Sequence, residues 1–248
     1  MLSETAILIP ALNEEDALPL VLEALPLERL HSVVVVDNGS TDRTVEVAEE
    51  LGARVVRESE RGYGAACLAG IEHLRQDAPP PRFLVFMDAD HPEDAASLEE
   101  LTGPLAGSAD LVLGARLHDG GDTGNVHVHA RWGNRLVLAT VRLLWGRSFV
   151  DLAPFRAVRF DALLDLGMDD RNWGWTLQMQ LRAIDARLRI VEIFVPHRAR
   201  AAGRSKISGS LTTSVRVGLK MFQTIARERL RGRGVSRSRS GSGSRGSG

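Results

Sequence analysis

The sequence predicts an α/β fold, a mostly parallel sheet flanked by helices, followed by a C-terminal helix and a disordered tail. Three observations carry this. Over the first 115 residues, short apolar runs alternate with helix-period patterns, and that alternation implies parallel strands joined by right-handed crossovers. The run SVVVVD at 32–37 is β-branched, too short for a helix and apolar on both faces, as in a strand with layers above and below it. Gly52 and the triplet Pro79-Pro80-Pro81 stop the intervening helices.

Each element follows from local pattern. Residues 5–10 form a first strand and 14–25 a helix. Residues 32–37 form the second strand; Ser40 or Thr41 then caps a helix running to Leu51. Residues 53–57 are a third strand, 64–75 a helix, 82–87 a fourth strand, and 111–113 start a fifth. Further on, 131–145 and 173–186 read as helices and 188–195 as a strand. From Ile207 the apolar residues Leu211, Val215, Leu219, Phe222 and Ile225 recur at helical spacing, one stripe expected to pack on the rest of the chain. After Arg233 the Ser-Arg-Gly composition predicts disorder. The expected organisation is a catalytic domain over 1–206, an amphipathic helix over 207–232 and a tail over 233–248.

Bulk properties exclude several classes. The chain has 248 residues, is 44% hydrophobic and carries a net charge of −1, so no bulk field calls for nucleic acid or a membrane. A single cysteine, Cys67, excludes an internal disulfide and a cysteine zinc site; its Ala- and Leu-rich flanks predict a buried thiol. No run reaches the roughly 20 apolar residues of a spanning helix. A cytoplasmic protein is the expectation, with peripheral membrane contact through the C-terminal helix as an alternative to simple packing. Lys206 and Lys220 are the only lysines, so the basic side is nearly all Arg, a residue suited to phosphate.

Ligands of open parallel sheets bind beyond the carboxyl ends of the strands. Three polar sets fall there: Asn13 and Glu14 after the first strand, Asp37 ending the second, and Asp88-Ala89-Asp90 ending the fourth. Asp88 and Asp90 lean to one side, and two converging carboxylates call for a cation. Oxygen ligands select Mg2+ or Mn2+, which bridges carboxylates to a diphosphate. A solvated acidic loop is the plain alternative. Asp37 can accept from a nucleobase N–H, while a turn and helix cap account for Asn38 to Thr41. The loop Arg61-Gly62-Tyr63-Gly64 opens a helix and suits close approach of backbone to a phosphate or ribose.

The ordered set ILIPALNEE, VVVVDNGSTDRT, RGYGAA, FMDAD, LVLGAR and RAAGRSKISG, spanning about residues 5–209, resembles family-2 glycosyltransferases of the GT-A fold, in the dolichyl-phosphate mannose/glucose synthase-like branch. The resemblance implies that Pro10, Ala11, Asn13, Glu14 and Asp37 line the nucleotide pocket and that Gly64 lets backbone pass the donor. It implies that Asp88, Ala89 and Asp90 hold ribose and metal-bound diphosphate. Arg116 and Arg131 would face the acceptor or its phosphate. Arg200, Arg204, Ser205 and Lys206 would close over the diphosphate, Arg204 and Lys206 stabilising the leaving group.

The chain departs from that pattern in three places. Relatives often carry Leu-Gln between the second Asp and a His-Pro pair, whereas here Asp90 runs straight into His91-Pro92. Asp151-Leu152-Ala153-Pro154-Phe155-Arg156 stands where relatives have an Asp and a Ser-Gly-Phe-Arg run. Gln178 stands where a bacterial subgroup has Glu, and an amide cannot act as a base.

The implied reaction is inverting transfer of a sugar from a UDP- or GDP-sugar donor. The expected acceptor is a polyprenyl phosphate, which is already an anion and needs no general base. A soluble hydroxyl acceptor would need one, and Asp169 and Asp170 are the local carboxylates, with helix capping as their structural role. A non-catalytic nucleotide-sugar-binding module also stays open. A sugar nucleotidyltransferase is disfavoured because PALNE replaces the Gly-rich basic loop such enzymes carry after the first strand.

Overall fold

The computed structural model describes residues 1–90, 95–117, 128–196 and 211–241. Seven strands form one sheet in the order β3-β2-β1-β4-β6-β5-β7. They are β1 (Thr5–Ala11), β2 (Ser32–Asp37), β3 (Arg54–Arg57), β4 (Phe83–Phe86), β5 (Leu111–Leu117), β6 (Arg156–Arg159) and β7 (Ile190–Pro196). All neighbours pair in parallel except β6, which runs antiparallel to both β4 and β5.

The two-residue period of a strand divides each buried run between two cores. Leu8, Val34, Val36, Leu84 and Phe86 point to one face, where they meet α3 (Tyr63–Arg75), α5 (Val128–Trp145), α6 (Phe160–Leu166), α7 (Trp175–Asp185) and α8 (Leu211–Gly241). Ile7, Ile9, Val33, Val35, Phe83 and Val85 point to the other, under α1 (Leu18–Glu23), α2 (Thr44–Glu50) and α4 (Ala95–Thr102). Val33 to Val36 are all buried, as expected for a strand covered on both sides.

Several boundaries differ from the sequence expectation. The first helix begins at Leu18 rather than residue 14, because the backbone of 13–15 is tied to the loop after β2. The second begins at Thr44: Ser40 and Thr41 bond to Asn13 instead of capping, and the Asp42 carboxylate receives the Thr44 N–H. The strand β6 and helix α6 have no counterpart in the sequence reading. The last helix runs to Gly241, past the expected limit at 232. Extending an existing helix costs far less than nucleating one, and no proline interrupts 233–241. Residues 207–210 and 242–248 lie outside the described residues. The apolar stripe on α8 also divides: Ile225 and Met221 pack on the core, whereas Leu219 and Phe222 are exposed. No helix among the described residues is long and apolar enough to cross a membrane.

Candidate active site

The carboxyl ends of β1, β2 and β4 share one edge of the sheet, with Pro10 and Ala11 in register with Val36 and Asp37. Two loops there are laced together. Asn13 has a left-handed backbone (φ 50°), which an Asn tolerates better than most residues. Its N–H donates to Ser40 Oγ (2.9 Å), and its Oδ1 accepts the Thr41 N–H (2.8 Å). The Glu14 N–H donates to Thr44 Oγ1 (2.8 Å), and Glu15 accepts the Arg43 N–H (2.9 Å). Asn13 and Glu14 therefore shape the rim through backbone and amide, holding it rigid beside the buried Asp37. One Asp37 oxygen takes the Ser40 N–H (2.9 Å).

Asn38 does more than a turn and helix cap require: it is buried and bridges to the next crossover. Its amide donates to the carbonyls of Glu58 (3.1 Å) and Glu60 (2.7 Å) and accepts the Gly62 N–H (2.7 Å). The glycines that follow have a steric reason of their own. A Cβ on Gly62 would strike the Arg171 carbonyl, and one on Gly64 the Asp170 carbonyl. The Ala65 N–H donates to the same Arg171 carbonyl (2.9 Å), and the Arg171 guanidinium pairs with Glu60 (2.7 Å). Gly64 is thus set against the 170–172 segment, and that contact by itself requires the missing side chain.

Asp88, Ala89 and Asp90 follow β4, with Ala89 and Asp90 buried and Asp88 half-buried. Behind them stands a group the sequence reading did not assemble. Arg156 is fully buried at the start of β6, its guanidinium donating to the carbonyls of Ala153 (2.9 Å) and Thr176 (3.0 Å). Burial presses its pKa down to about 10, opposed by Tyr63, Cys67, Asp151 and Asp88, so it stays cationic at neutral pH. Tyr63 and Cys67 are hydrogen-bonded to each other, and burial pushes both well up. Cys67 is therefore an inert buried thiol, as its flanks predicted. Trp175, at the start of α7, packs edge-on against Phe86, two residues before Asp88 (ring centroids 6.1 Å). The clue in the sequence was the apolar setting of Ala153-Pro154-Phe155 around a single Arg.

The donor set suits a hard divalent ion. Asp88 and Asp90 offer carboxylate oxygens only, and no group of three or more His, Cys, Asp or Glu suited to a metal occurs among the described residues. Carboxylate oxygens are the ligands that Mg2+ and Mn2+ take, with water or phosphate oxygens completing their shells.

The carboxylates suggested as bases are committed elsewhere. Asp169 pairs with Arg182 (2.7 Å) and Arg227 (2.6 Å), and Asp170, buried, pairs with Lys220 (2.9 Å). Neither caps α7, whose N-cap is Gly174, although Asp170 accepts the Asn172 N–H (2.8 Å). Gln178 is fully buried. Its carbonyl accepts the N–H groups of Asp169 (3.1 Å) and Asp170 (2.9 Å), while its NH2 donates to Asp169 (2.7 Å) and Glu228 (2.7 Å). Only an amide can accept and donate in this way. Arg116 stands on β5 opposite Val195 of β7, and Arg131 on α5. His91, Arg200, Arg204, Ser205 and Lys206 lie outside the described residues.

A parallel sheet with one antiparallel strand next to β4, and two aspartates beyond that strand, invites comparison with sugar-nucleotide enzymes. The chain matches the model of "Glycosyl transferase family 2" over residues 6–167. It belongs to that family. An uncharacterized glycosyltransferase of Mycobacterium tuberculosis is 39% identical over 226 residues, covering 89% of this chain and 97% of that protein. The polyprenol monophosphomannose synthase of Mycolicibacterium smegmatis is 34% identical over 228 residues, 83% of this chain and 82% of its own. Among solved structures, glucosyl-3-phosphoglycerate synthase from Mycobacterium tuberculosis, in complex with Mn2+, UDP-glucose and phosphoglyceric acid, superposes with a TM-score of 0.73. The match covers 91% of this chain and 79% of that one at 22% identity. The GT-A fold read from the sequence is the fold of this family-2 glycosyltransferase.

Proposed function

We propose that this glycosyltransferase moves a sugar from a UDP- or GDP-sugar to a polyprenyl phosphate, with inversion. The observation that carries the acceptor is the state of Asp169 and Asp170. A hydroxyl acceptor needs a carboxylate to take its proton, and both local carboxylates are held in ion pairs with Arg182, Arg227 and Lys220. A phosphate acceptor is already anionic and needs none. The identity to a polyprenol monophosphomannose synthase supports the same choice. The structural likeness to an enzyme crystallised with phosphoglyceric acid shows the fold and leaves the acceptor to chemistry.

In this reading Pro10, Ala11, Asn13, Glu14 and Asp37 frame the nucleotide, the laced loops keeping the Asp37 carboxylate in place for a base N–H. Asp88 and Asp90 hold Mg2+ or Mn2+, which would neutralise charge on the departing diphosphate. Arg156 beneath them offsets part of the repulsion between the carboxylates. Arg116 and Arg131 would meet the acceptor phosphate, while Arg200, Arg204, Ser205 and Lys206 would close over the diphosphate, Arg204 and Lys206 stabilising the leaving group.

The test is release of nucleoside diphosphate with Mg2+ or Mn2+, across UDP- and GDP-sugars, with polyprenyl phosphate or 3-phosphoglycerate as acceptor. Release that needs the metal and polyprenyl phosphate, and that Asp90→Ala lowers by about three orders of magnitude or more, is the expected result. Transfer to the 3-phosphoglycerate hydroxyl alone would overturn the acceptor. Nucleotide binding without turnover on any acceptor would point to a binding module.

A further inference from the structure

The helices α5 and α8 pack against each other on one side of the sheet. On α5, Val137 and Val141 face the core, and the opposite face carries Arg135, Leu136, Ala139, Arg142 and Leu143. Leu136 is 59% and Leu143 82% exposed. Seven residues apart, they lie on one line of the helix. The whole of Val128–Trp145 contains three arginines and no Asp or Glu. Isolated exposed leucines are ordinary, but an apolar line flanked by cations and free of acids is the pattern of a helix that lies in a membrane interface.

The neighbouring helix repeats it. Leu219 is 60% and Leu230 69% exposed on α8, with Phe222 near them and Arg216 beside them, while Arg227 is paired with Asp169. Its single acidic residue, Glu228, is turned inward against Arg182. Two helices in contact thus present one outward chemistry, and the side of α8 that packs on α7 supplies none of it.

We propose that the outward faces of α5 and α8 form one surface that docks on an anionic lipid bilayer. Charge selects this occupant. A second copy of the chain would bring arginine rows against arginine rows, whereas anionic headgroups complement them and leave the leucines at the acyl boundary. The purpose of the surface rests on the polyprenyl-phosphate reading, since it would bring the site to a lipid-borne acceptor.

The test is co-sedimentation of the full chain with vesicles lacking any polyprenyl phosphate, of phosphatidylcholine alone or mixed with phosphatidylglycerol. Binding to the anionic vesicles, weakened by salt, is expected. Leu136→Glu combined with Leu143→Glu should lower that partition by about tenfold or more. The same double variant should keep the wild-type melting temperature and full turnover with a short-chain, water-soluble polyprenyl phosphate. No binding of wild type to anionic vesicles, undiminished binding by the double variant, or a solution dimer that it dissociates would overturn the proposal. Vesicle binding as expected, with no turnover on the short-chain acceptor, would sink the acceptor reading and leave the surface standing.

Discussion

At the carboxyl edge of the sheet polar side chains hold backbone; behind α7 they hold one another. Asn13, Asn38, Asp42 and Thr44 each satisfy N–H or C=O groups of a neighbouring loop, Asn38 and Thr44 from buried positions. Gln178, Arg182 and Glu228 instead form a buried cluster from two helices far apart in sequence, extended to solvent by Asp169. The first arrangement ties two loops into one rim. The second fastens α8 to the catalytic core, and its far end reaches the site, because the 170–172 backbone that Lys220 steadies through Asp170 also supports Gly62, Gly64 and Ala65.

The contrast makes removal of one charge from the buried cluster the largest effect. Arg182 donates to both oxygens of Glu228 at 2.9 Å, and Glu228 is 1% exposed. Glu228→Ala leaves a buried guanidinium with part of its shell missing, a change that costs about 3–5 kcal/mol. Denaturant unfolding should show that loss. A loss under about 1 kcal/mol would mean that α8 is held by its apolar contacts alone, and the comparison between the two regions would break.

A smaller loss, with a different signature, is expected at the rim. Asn38→Ala strands the carbonyls of Glu58 and Glu60 and the N–H of Gly62, where water can replace part of what is lost. The expected cost is about 1–3 kcal/mol. Because these groups position the loop before α3, donor KM should rise more than kcat falls, as steady-state kinetics would show. Equal loss in both constants would assign Asn38 to the transition state.

The same contrast decides what was legible beforehand. The strand ends were readable because a buried parallel strand must be an apolar run, and parallel strands place their carboxyl ends at one edge. Asp37, Asp88 and Asp90 were found that way. The strand Arg156–Arg159 reads R-A-V-R, apolar at only two positions, so no period marks it; its place between β4 and β5 comes from long-range pairing. Gln178 was visible only as a departure from Glu. Its reason lies in Glu228, 50 residues on, whose carboxylate needs a donor where a second carboxylate would repel it. Gly64 likewise owed its identity to a carbonyl more than 100 residues away.

Acid sharpens the comparison at its smallest scale. Burial alone would raise the pKa of Asp42, but hydrogen bonds from the Thr44 hydroxyl and N–H and from the Glu15 N–H hold it below the ordinary 3.8. A folded-state pKa below the unfolded one means that the stabilisation is complete above about 3.8 and disappears as pH falls through the folded value. Asp42→Asn should therefore cost about 0.5–1 kcal/mol near neutrality, in the range of a lost helix cap. The gap to wild type should close as pH drops below that point in urea unfolding series. Burial likewise works to raise Glu228, and Arg182 and Gln178 outweigh it and lower its pKa, so the buried cluster also loses support in acid. The two regions then differ in what acid leaves behind: a protonated Asp42 still sits in a hydrated rim, whereas a protonated Glu228 leaves Arg182 buried with its main counter-charge gone. A gap at Asp42→Asn that persists unchanged into strong acid would show that the Asp42 carboxylate supports the loop by shape rather than by charge.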